Sequence, residues 1–337
     1  MSAKTILTGI KPTGAPHVGN YIGAIRPAIA LSRAHESCYL FIADVHALNT
    51  VHDAKQLRED SYSVAATLLA CGLDPQRTVF YRESDVPEIC EIAVLLNAVT
   101  PKGLMDRAHA YKASVDKNRA EGRDADADVN MGLYNYPILM AADIIMAPTD
   151  IVPVGKDQVQ HIEFARDMAG YFNNAYGKPV FKLPEAQVES GAHAAILPGI
   201  DGRKMSKSYN NHIPVFMDSK ARRKLVMKIV TDSKLPEEPK NADENTIFQL
   251  YTHFATADEI TAMRTAFEKG GMGYGDAKQL LFETLERTFE EPTRLYAEYM
   301  ADTAKLDVLL DAGAKRARET ARKTLNAARV AVGFRAL

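Results

Sequence analysis

Residues 5–48 read TILTGIKPTGAPHVGNYIGAIRPAIALSRAHESCYLFIADVHAL, and the order of patterns within them decides the fold. A short apolar run, TILTGI, ends in a loop bearing glycine and proline. A helical pattern starts near Val18, and a second apolar run, CYLFIADVHAL, follows it. Short apolar runs of this kind fit strands buried on both faces, and parallel strands need a helical crossover between them. The alternation continues through LREDSYSVAATLLA as helix and TVFYRES as strand. It predicts an α/β fold built on a Rossmann-like, doubly wound parallel sheet.

Working outward, a charged stretch at 106–130, DRAHAYKASVDKNRAEGRDADADVN, has no clean apolar face and reads as a mobile or partner-facing insertion. After it, LYNYPILMAADIIMA reads as helix, DIVPVG as strand, QVQHIEFARDMAGYF as helix and PVFKLP as strand. Beyond about residue 215 the strand patterns stop. KARRKLVMKIV, TIFQLYTHFA, EITAMRTAFEKG, KQLLFETLERTF and a long segment from Leu306 to Val332 are amphipathic at helical spacing. We therefore expect a Rossmann-like domain over 1–205 with a helical, polar insertion at about 87–135, and an all-helical domain over 206–337.

Composition narrows the function. The 337 residues are 46% hydrophobic and 25% charged, and the formal net charge is −2, so any contact with nucleic acid must be local and bulk DNA binding is not expected. Cys38, Cys71 and Cys90 are an odd count without a CxxC pair, which argues against a disulfide framework, a cysteine-held metal or an Fe–S cluster. No run of about 18 apolar residues is present to span a bilayer, and the first residues lack a signal-type core. The expectation is a cytoplasmic protein without membrane contact.

Two segments carry chemistry. Lys11-Pro12-Thr13-Gly14-Ala15-Pro16-His17-Val18-Gly19-Asn20 joins the first strand to the first helix, where backbone N–H groups and a helix dipole suit nucleotide phosphates. Its spacing is neither GxGxxG nor a P-loop, since Asn20 stands where a P-loop needs lysine. Taken alone, the loop is equally a turn. Gly202-Arg203-Lys204-Met205-Ser206-Lys207-Ser208 lies where the two halves of the chain meet. Its lysines can neutralise charge that builds at an attacked phosphate. Among equiprobable residues, KMSKS arises on the order of once in ten thousand chains of this length.

HVGN at 17–20 and KMSKS at 204–208, in this order on an α/β domain, resemble the HIGH and KMSKS signatures of the class I aminoacyl-tRNA synthetases. The blocks between them, Tyr136-Pro137-Ile138-Leu139-Met140-Ala141-Ala142-Asp143 and Val152-Pro153-Val154-Gly155-Lys156-Asp157-Gln158 with Gln160-His161, resemble the tryptophanyl branch of that family. The similarity extends to Val230-Thr231-Asp232-Ser233 and Gly313-Ala314. The residues of the middle block agree with it. Tyr136, Met140 and Asp143 share one helix face, and an acid in the apolar run 139–146 is costly to bury without a donor such as an indole N–H.

The resemblance implies ATP-dependent activation of L-tryptophan and its transfer to tRNA(Trp), with Mg²⁺ accompanying ATP and no protein-bound metal. It implies that Asp143 accepts from the indole nitrogen, that Tyr136 and Gln158 hold the amino-acid backbone, and that Met140 and His46 border the pocket. Lys11, Pro12, Thr13, Gly19 and Asn20 would cradle ATP, Gly155, Lys156 and Asp157 its ribose and adenine side, Ile196 the adenine, and Lys204, Met205, Ser206, Lys207 and Ser208 the phosphates. His17, Asn20, Lys204 and Lys207 would carry catalysis by positioning and electrostatics. Anticodon contact by the helical domain is implied, with Lys220, Arg222, Arg223 and Lys224 on one helix and Lys315, Arg316, Arg318, Arg322 and Lys323 on another as candidates. So is a homodimer that contacts through 87–135.

The chain departs from the family pattern at Lys11, glutamine in many members, at Lys156, which replaces the glutamate of a GEDQ block, and at His17, often threonine. All three add possible positive charge near the triphosphate. A tyrosyl enzyme would place glutamine where this chain has Met140. A small-molecule nucleotidylyl transferase would not need the KMSKS loop and a long helical region, and a non-catalytic paralogue would not need the lysines and Asp143 intact.

Overall fold

A computed structural model describes residues 4–188 and 197–337. Strands β1 (Thr5–Ile10), β2 (Ser37–Ile42), β3 (Val79–Arg82), β4 (Ile151–Val154) and β5 (Glu185–Val188) form one sheet in the order β3-β2-β1-β4-β5. Every pairing is parallel, with Ile6 opposite both Cys38 and Ile151. The chain starts in the middle, winds outward to β3, then returns to lay β4 and β5 on the other side of β1. The direction of winding therefore reverses between β1 and β4, and ligands of such sheets bind in the crevice this leaves.

The first crossover is a helical run, α1, made of Val18–Asn20, a π-type turn at Tyr21–Ile25 and Arg26–Ala34. Helix α2 (Ala54–Ala70) starts at Asp53, whose carboxylate accepts from the backbone N–H of Lys55 and Gln56. Then come α3 (Glu88–Asn97), α4 (His109–Ala120), α5 (Met131–Ile145) and α6 (Val159–Tyr176). The chain continues as α7 (Ser219–Val226), α8 (Thr246–Tyr251), α9 (Ala257–Lys269), α10 (Tyr274–Ala301) and α11 (Thr303–Ala331).

Three expectations are changed or filled in. The last strand lies at Glu185–Val188 and not at PVFKLP. Pro179 and Pro184 have no N–H to give a ladder, and the segment between them is claimed by α6: the Asn173 amide pairs with both the N–H and the carbonyl of Phe181, whose ring packs on Phe172. The stretch 106–130 holds a defined helix, α4, and a loop closed by Asn118, which donates to the carbonyls of Ala125 and Ala127. Asn130 then caps α5.

The third change concerns the second half of the chain. Helices α7 to α10 gather into a core of their own with Val18, Ile22 and Met205. Helix α11 does not join them. Ala314, Ala317, Ala321, Leu325 and Ala328 pack into the core of the sheet, and Leu306 and Leu310 join the layer around Leu40 and Phe80. Small residues on this face let the helix lie against the β3 backbone, and at Gly313 a Cβ would stand 1.7 Å from the carbonyl oxygen of Phe80. The segment 303–331 thus shares the hydrophobic core of the sheet.

Candidate active site

The loop after β1 is organised by its own side chains. His17 caps α1: its Nδ1 accepts from the Asn20 backbone N–H at 3.2 Å while Asn20 Oδ1 accepts from the His17 N–H at 3.1 Å. Because Nδ1 is the acceptor, the proton of the neutral ring sits on Nε2, which is left to donate. Burial, the neighbouring His212 and the Lys207 charge hold the imidazole pKa down at about 4. The two rings lie 5.9 Å apart. The loop is also bracketed by backbone bonds, Val18 N–H to Ile213 O at 2.8 Å and Val215 N–H to Pro16 O at 3.0 Å.

That bracket carries the KMSKS segment to the same place. Met205 is buried, and its N–H donates to Leu197 O at 2.8 Å. Ser206 N–H donates to Asn211 Oδ1, and the buried Asn211 amide in turn reaches Asp201 and the Lys204 carbonyl. Lys207 Nζ donates to the Thr13 carbonyl at 2.8 Å and faces Gly14, whose φ of +80° a side chain would resist. Partial burial lowers the Lys207 pKa, against a smaller opposing pull from Asp60. The two signature segments, 190 residues apart in sequence, are one surface. Met205 is the exception among the phosphate candidates, since its side chain points into the helical core.

Beside this surface, α5 presents Tyr136, Met140 and Asp143 to a cavity of about 370 Å³, completed by Gly9, Lys11, Phe41, His46, Asn49, Thr50, Leu133 and Gln158. The shared face expected from spacing is the wall of a pocket. Asp143 is fully buried, and burial, with Asp44 adding, raises its pKa well above the usual carboxylate range. Its Oδ2 lies 2.9 Å from His46 Nε2, while Oδ1 has no partner among the described residues. Burial holds His46 largely neutral, Lys11 assisting and Glu83 opposing. Tyr136 Oη lies 3.2 Å from Nε2 of His161, and Gln158 donates to Asp157.

A second cavity, about 330 Å³, opens at the switch point between β1 and β4. It is lined by Thr8, Ile10, Gly23, Ala24, Pro27, Leu31 and Val154 to Gly155, and shares Gly9, Met140, Val152 and Gln158 with the first. The α1 residues there were missed, though small residues and a proline on a helix facing a switch point are a usable signal. His212 and Glu83 were missed too. His212 follows KMSKS closely, and Glu83 is an acid ending an apolar strand pattern. Lys156 and Asp157 sit just past Gly155 on a short turn, at the rim, and Ile196 lies outside the described residues.

The tRNA candidates divide. Lys220, Arg223 and Lys224 are exposed on α7, but Arg222 is buried: it pairs with Glu286 and donates to the Val215 carbonyl. It is a structural residue and is withdrawn as a nucleic-acid contact. On α11, Lys315 and Lys323 are exposed, whereas Arg316 donates to the carbonyls of Pro75, Gln76 and Thr78, and Arg318 and Arg322 both reach the buried Glu88. These three arginines fasten α11 to the sheet domain.

The family model described as tRNA synthetases class I (W and Y) matches residues 2–290. The chain belongs to the class I tRNA synthetases of the W and Y family. A tryptophan--tRNA ligase of Bordetella parapertussis is 51% identical over 334 residues, covering 98% of this chain and 73% of the relative. Another, from Neisseria meningitidis, is 48% identical over the whole of both chains. Among solved structures, a tryptophanyl-tRNA synthetase from Campylobacter jejuni complexed with ADP and tryptophan aligns with a TM-score of 0.87 at 40% identity, covering 98% of this chain and all of that one.

Proposed function

We propose that this synthetase activates L-tryptophan with ATP to give tryptophanyl-adenylate and pyrophosphate, and then transfers the tryptophanyl group to the 3′ end of tRNA(Trp). The observation that carries the reading is Asp143 at the floor of a largely apolar pocket, its Oδ1 buried and without a donor among the described residues. An indole N–H supplies one. An amino acid lacking that donor leaves the oxygen unpaired, which disfavours it by roughly 10⁴ where a site is built around such a bond.

In activation, a carboxylate oxygen of tryptophan bonds to the α-phosphorus of ATP, and the bond to the α,β-bridging oxygen breaks. ATP enters as its Mg²⁺ complex. No protein nucleophile is needed. The neutral His17 offers its Nε2 proton to a phosphate oxygen, the α1 N-terminus adds its dipole, and Lys204 and Lys207 balance the charge that passes to pyrophosphate. Lys11 lines the tryptophan cavity, which suits the substrate carboxylate as well as a phosphate. In this reading Tyr136 and Gln158 hold the amino-acid backbone, and Gly155, Lys156 and Asp157 take the ribose and adenine side.

For tRNA, the exposed Lys220, Arg223 and Lys224 of α7 and Lys315 and Lys323 of α11 are the contacts we favour. The protein acts as a cytoplasmic homodimer joined through 87–135, where Val94 and Met131 expose large apolar side chains. The test is ATP–pyrophosphate exchange with tryptophan, tyrosine or phenylalanine supplied singly, repeated with Asp143→Ala. Exchange with tryptophan alone, lost in the variant, is expected. Exchange driven by tyrosine moves the assignment to the sister activity, and exchange with none of the three overturns the proposal.

A further inference from the structure

Behind the Asp143 carboxylate lies a second acid that the proposed chemistry does not use. Glu83 follows β3 and is almost completely buried. Its Oε2 accepts the His46 backbone N–H at 3.3 Å, and its Oε1 lies 3.9 Å from His46 Nε2 without a hydrogen-bond partner. One oxygen of Glu83, one of Asp143 and the His46 ring nitrogen all lie within 4.8 Å of one another. Three ionisable groups therefore crowd together at the floor of the cavity.

Two carboxylates so placed cannot both ionise at ordinary cost, because repulsion at this separation is weakly screened. A buried pair at this separation carries one negative charge more readily than two, and its members titrate as coupled groups. Among the described residues, no lysine or arginine pairs with either acid. Asp44 faces Glu83 from the turn after β2 and is occupied by Ser84, which donates to it through its N–H and hydroxyl. Tyr81 and, from α3, Cys90 are neutral neighbours whose own pKa values are pushed up by burial. Lys11 acts on His46 and favours its neutral form.

We propose that Glu83 is a specificity-determining positioning residue for tryptophan: as an uncharged acid behind Asp143 it adds no charge to the pocket floor and leaves Asp143 oriented toward the indole N–H. The proposal rests on the tryptophan reading of the pocket and adds a pH dependence to it. Burial, with Asp143 adding, raises the Glu83 pKa to about 8. Above that, a negative charge appears behind Asp143, and the pocket floor rearranges or hydrates. Tryptophan binding then weakens while ATP binding does not.

The chain contains no tryptophan, so the fluorescence of the ligand, excited away from tyrosine, reports binding directly. The dissociation constant for tryptophan is measured from pH 6.5 to 9 with wild type and Glu83→Gln, alongside KM for ATP in pyrophosphate exchange. Titration of the amino group of free tryptophan is common to both proteins. We expect wild-type affinity to fall by about tenfold more than that of Glu83→Gln between pH 7 and 9, as ionisation with a midpoint near 8 requires, with KM for ATP parallel in the two. Coincident profiles overturn the proposal, as does a loss of about tenfold or more in Glu83→Gln at pH 7, which would mean the ionised acid is the useful form. Should the variant not fold, a wild-type affinity following only the ligand's own titration overturns it as well. Absence of any tryptophan-driven exchange in wild type is a different result and removes the function on which the proposal stands.

Discussion

At the scale of single residues, protonation states decide much of what the site can do. His17 stays neutral down to about pH 4 because folding has removed it from water and set it beside His212 and Lys207. Its depressed pKa means that between about 6.5 and 4 the unfolded chain binds more protons at this position than the native one, so stability falls as pH falls through that window. Replacing His17 with Gln is expected to flatten part of that fall in urea midpoints measured at pH 4.5, 5.5 and 7, leaving the share from His46, His161 and His212, which are depressed as well. The same variant should lower the rate of pyrophosphate exchange by about 10²–10³, the usual effect of removing one preorganised donor. An unchanged rate would show that His17 only caps the helix. Lys207→Ala belongs with it: the lysine is held at the Thr13 carbonyl, and its loss should cost a similar factor in exchange with little change in tryptophan affinity.

Residues of this kind were legible in the sequence when their type was costly in its context. An acid within Leu139 to Met146 demanded a donor, and the structure puts Asp143 at the floor of a pocket. Glu83 escaped because a strand-end acid usually faces water, and only the fold reveals that the end of β3 is roofed by His46 and α5. Arg222 misled for the converse reason. In KARRK each cation looks alike, yet helical geometry turns one of the four inward to Glu286.

At the scale of elements, parallel strands and their crossovers were readable because buried strands are near-continuous apolar runs. The last strand was misplaced by a few residues, since Phe181 looks like strand core but serves α6. The role of α11 was not readable, because amphipathic spacing shows that a helix has a buried face and not what it is buried against. Gly313 records the answer: helix and strand backbones approach so closely there that no side chain fits. Gly313→Ala is expected to destabilise the protein by about 3 kcal/mol or to prevent folding, since the obstacle is backbone and cannot swing away. Thermal unfolding is the check, and a variant melting within about 2 °C of wild type would mean that α11 lifts from β3 at little cost. Arg318 and Arg322 at Glu88 then read as fasteners of this contact, and their truncation should lower stability more than tRNA affinity.

At the scale of the whole molecule, the division into a sheet and a helical region matters less than what joins them. Val18 and Ile22 from α1, Met205 from KMSKS, Ile213 and Val215 from the bracket, and Phe248, Phe267 and Phe289 from the helices form one buried cluster. The HVGN and KMSKS segments are therefore set by the packing of α7 to α10, whereas the cavity at Asp143 is walled by α5 and the sheet. Met205 is the joint between the two, lying against Gly19 with its sulfur 3.6 Å from where a Cβ would stand. Met205→Ala leaves a cavity there at a cost of roughly 2–5 kcal/mol, and it should loosen the lysine loop without touching the amino-acid pocket. Tryptophan affinity measured without ATP is then expected to stay within about twofold of wild type, while exchange slows roughly tenfold, as for a loop whose closure completes the catalytic constellation. If tryptophan affinity falls as far as the exchange rate, the two cavities are one mechanical unit, and the helical region governs substrate choice as well as phosphate chemistry.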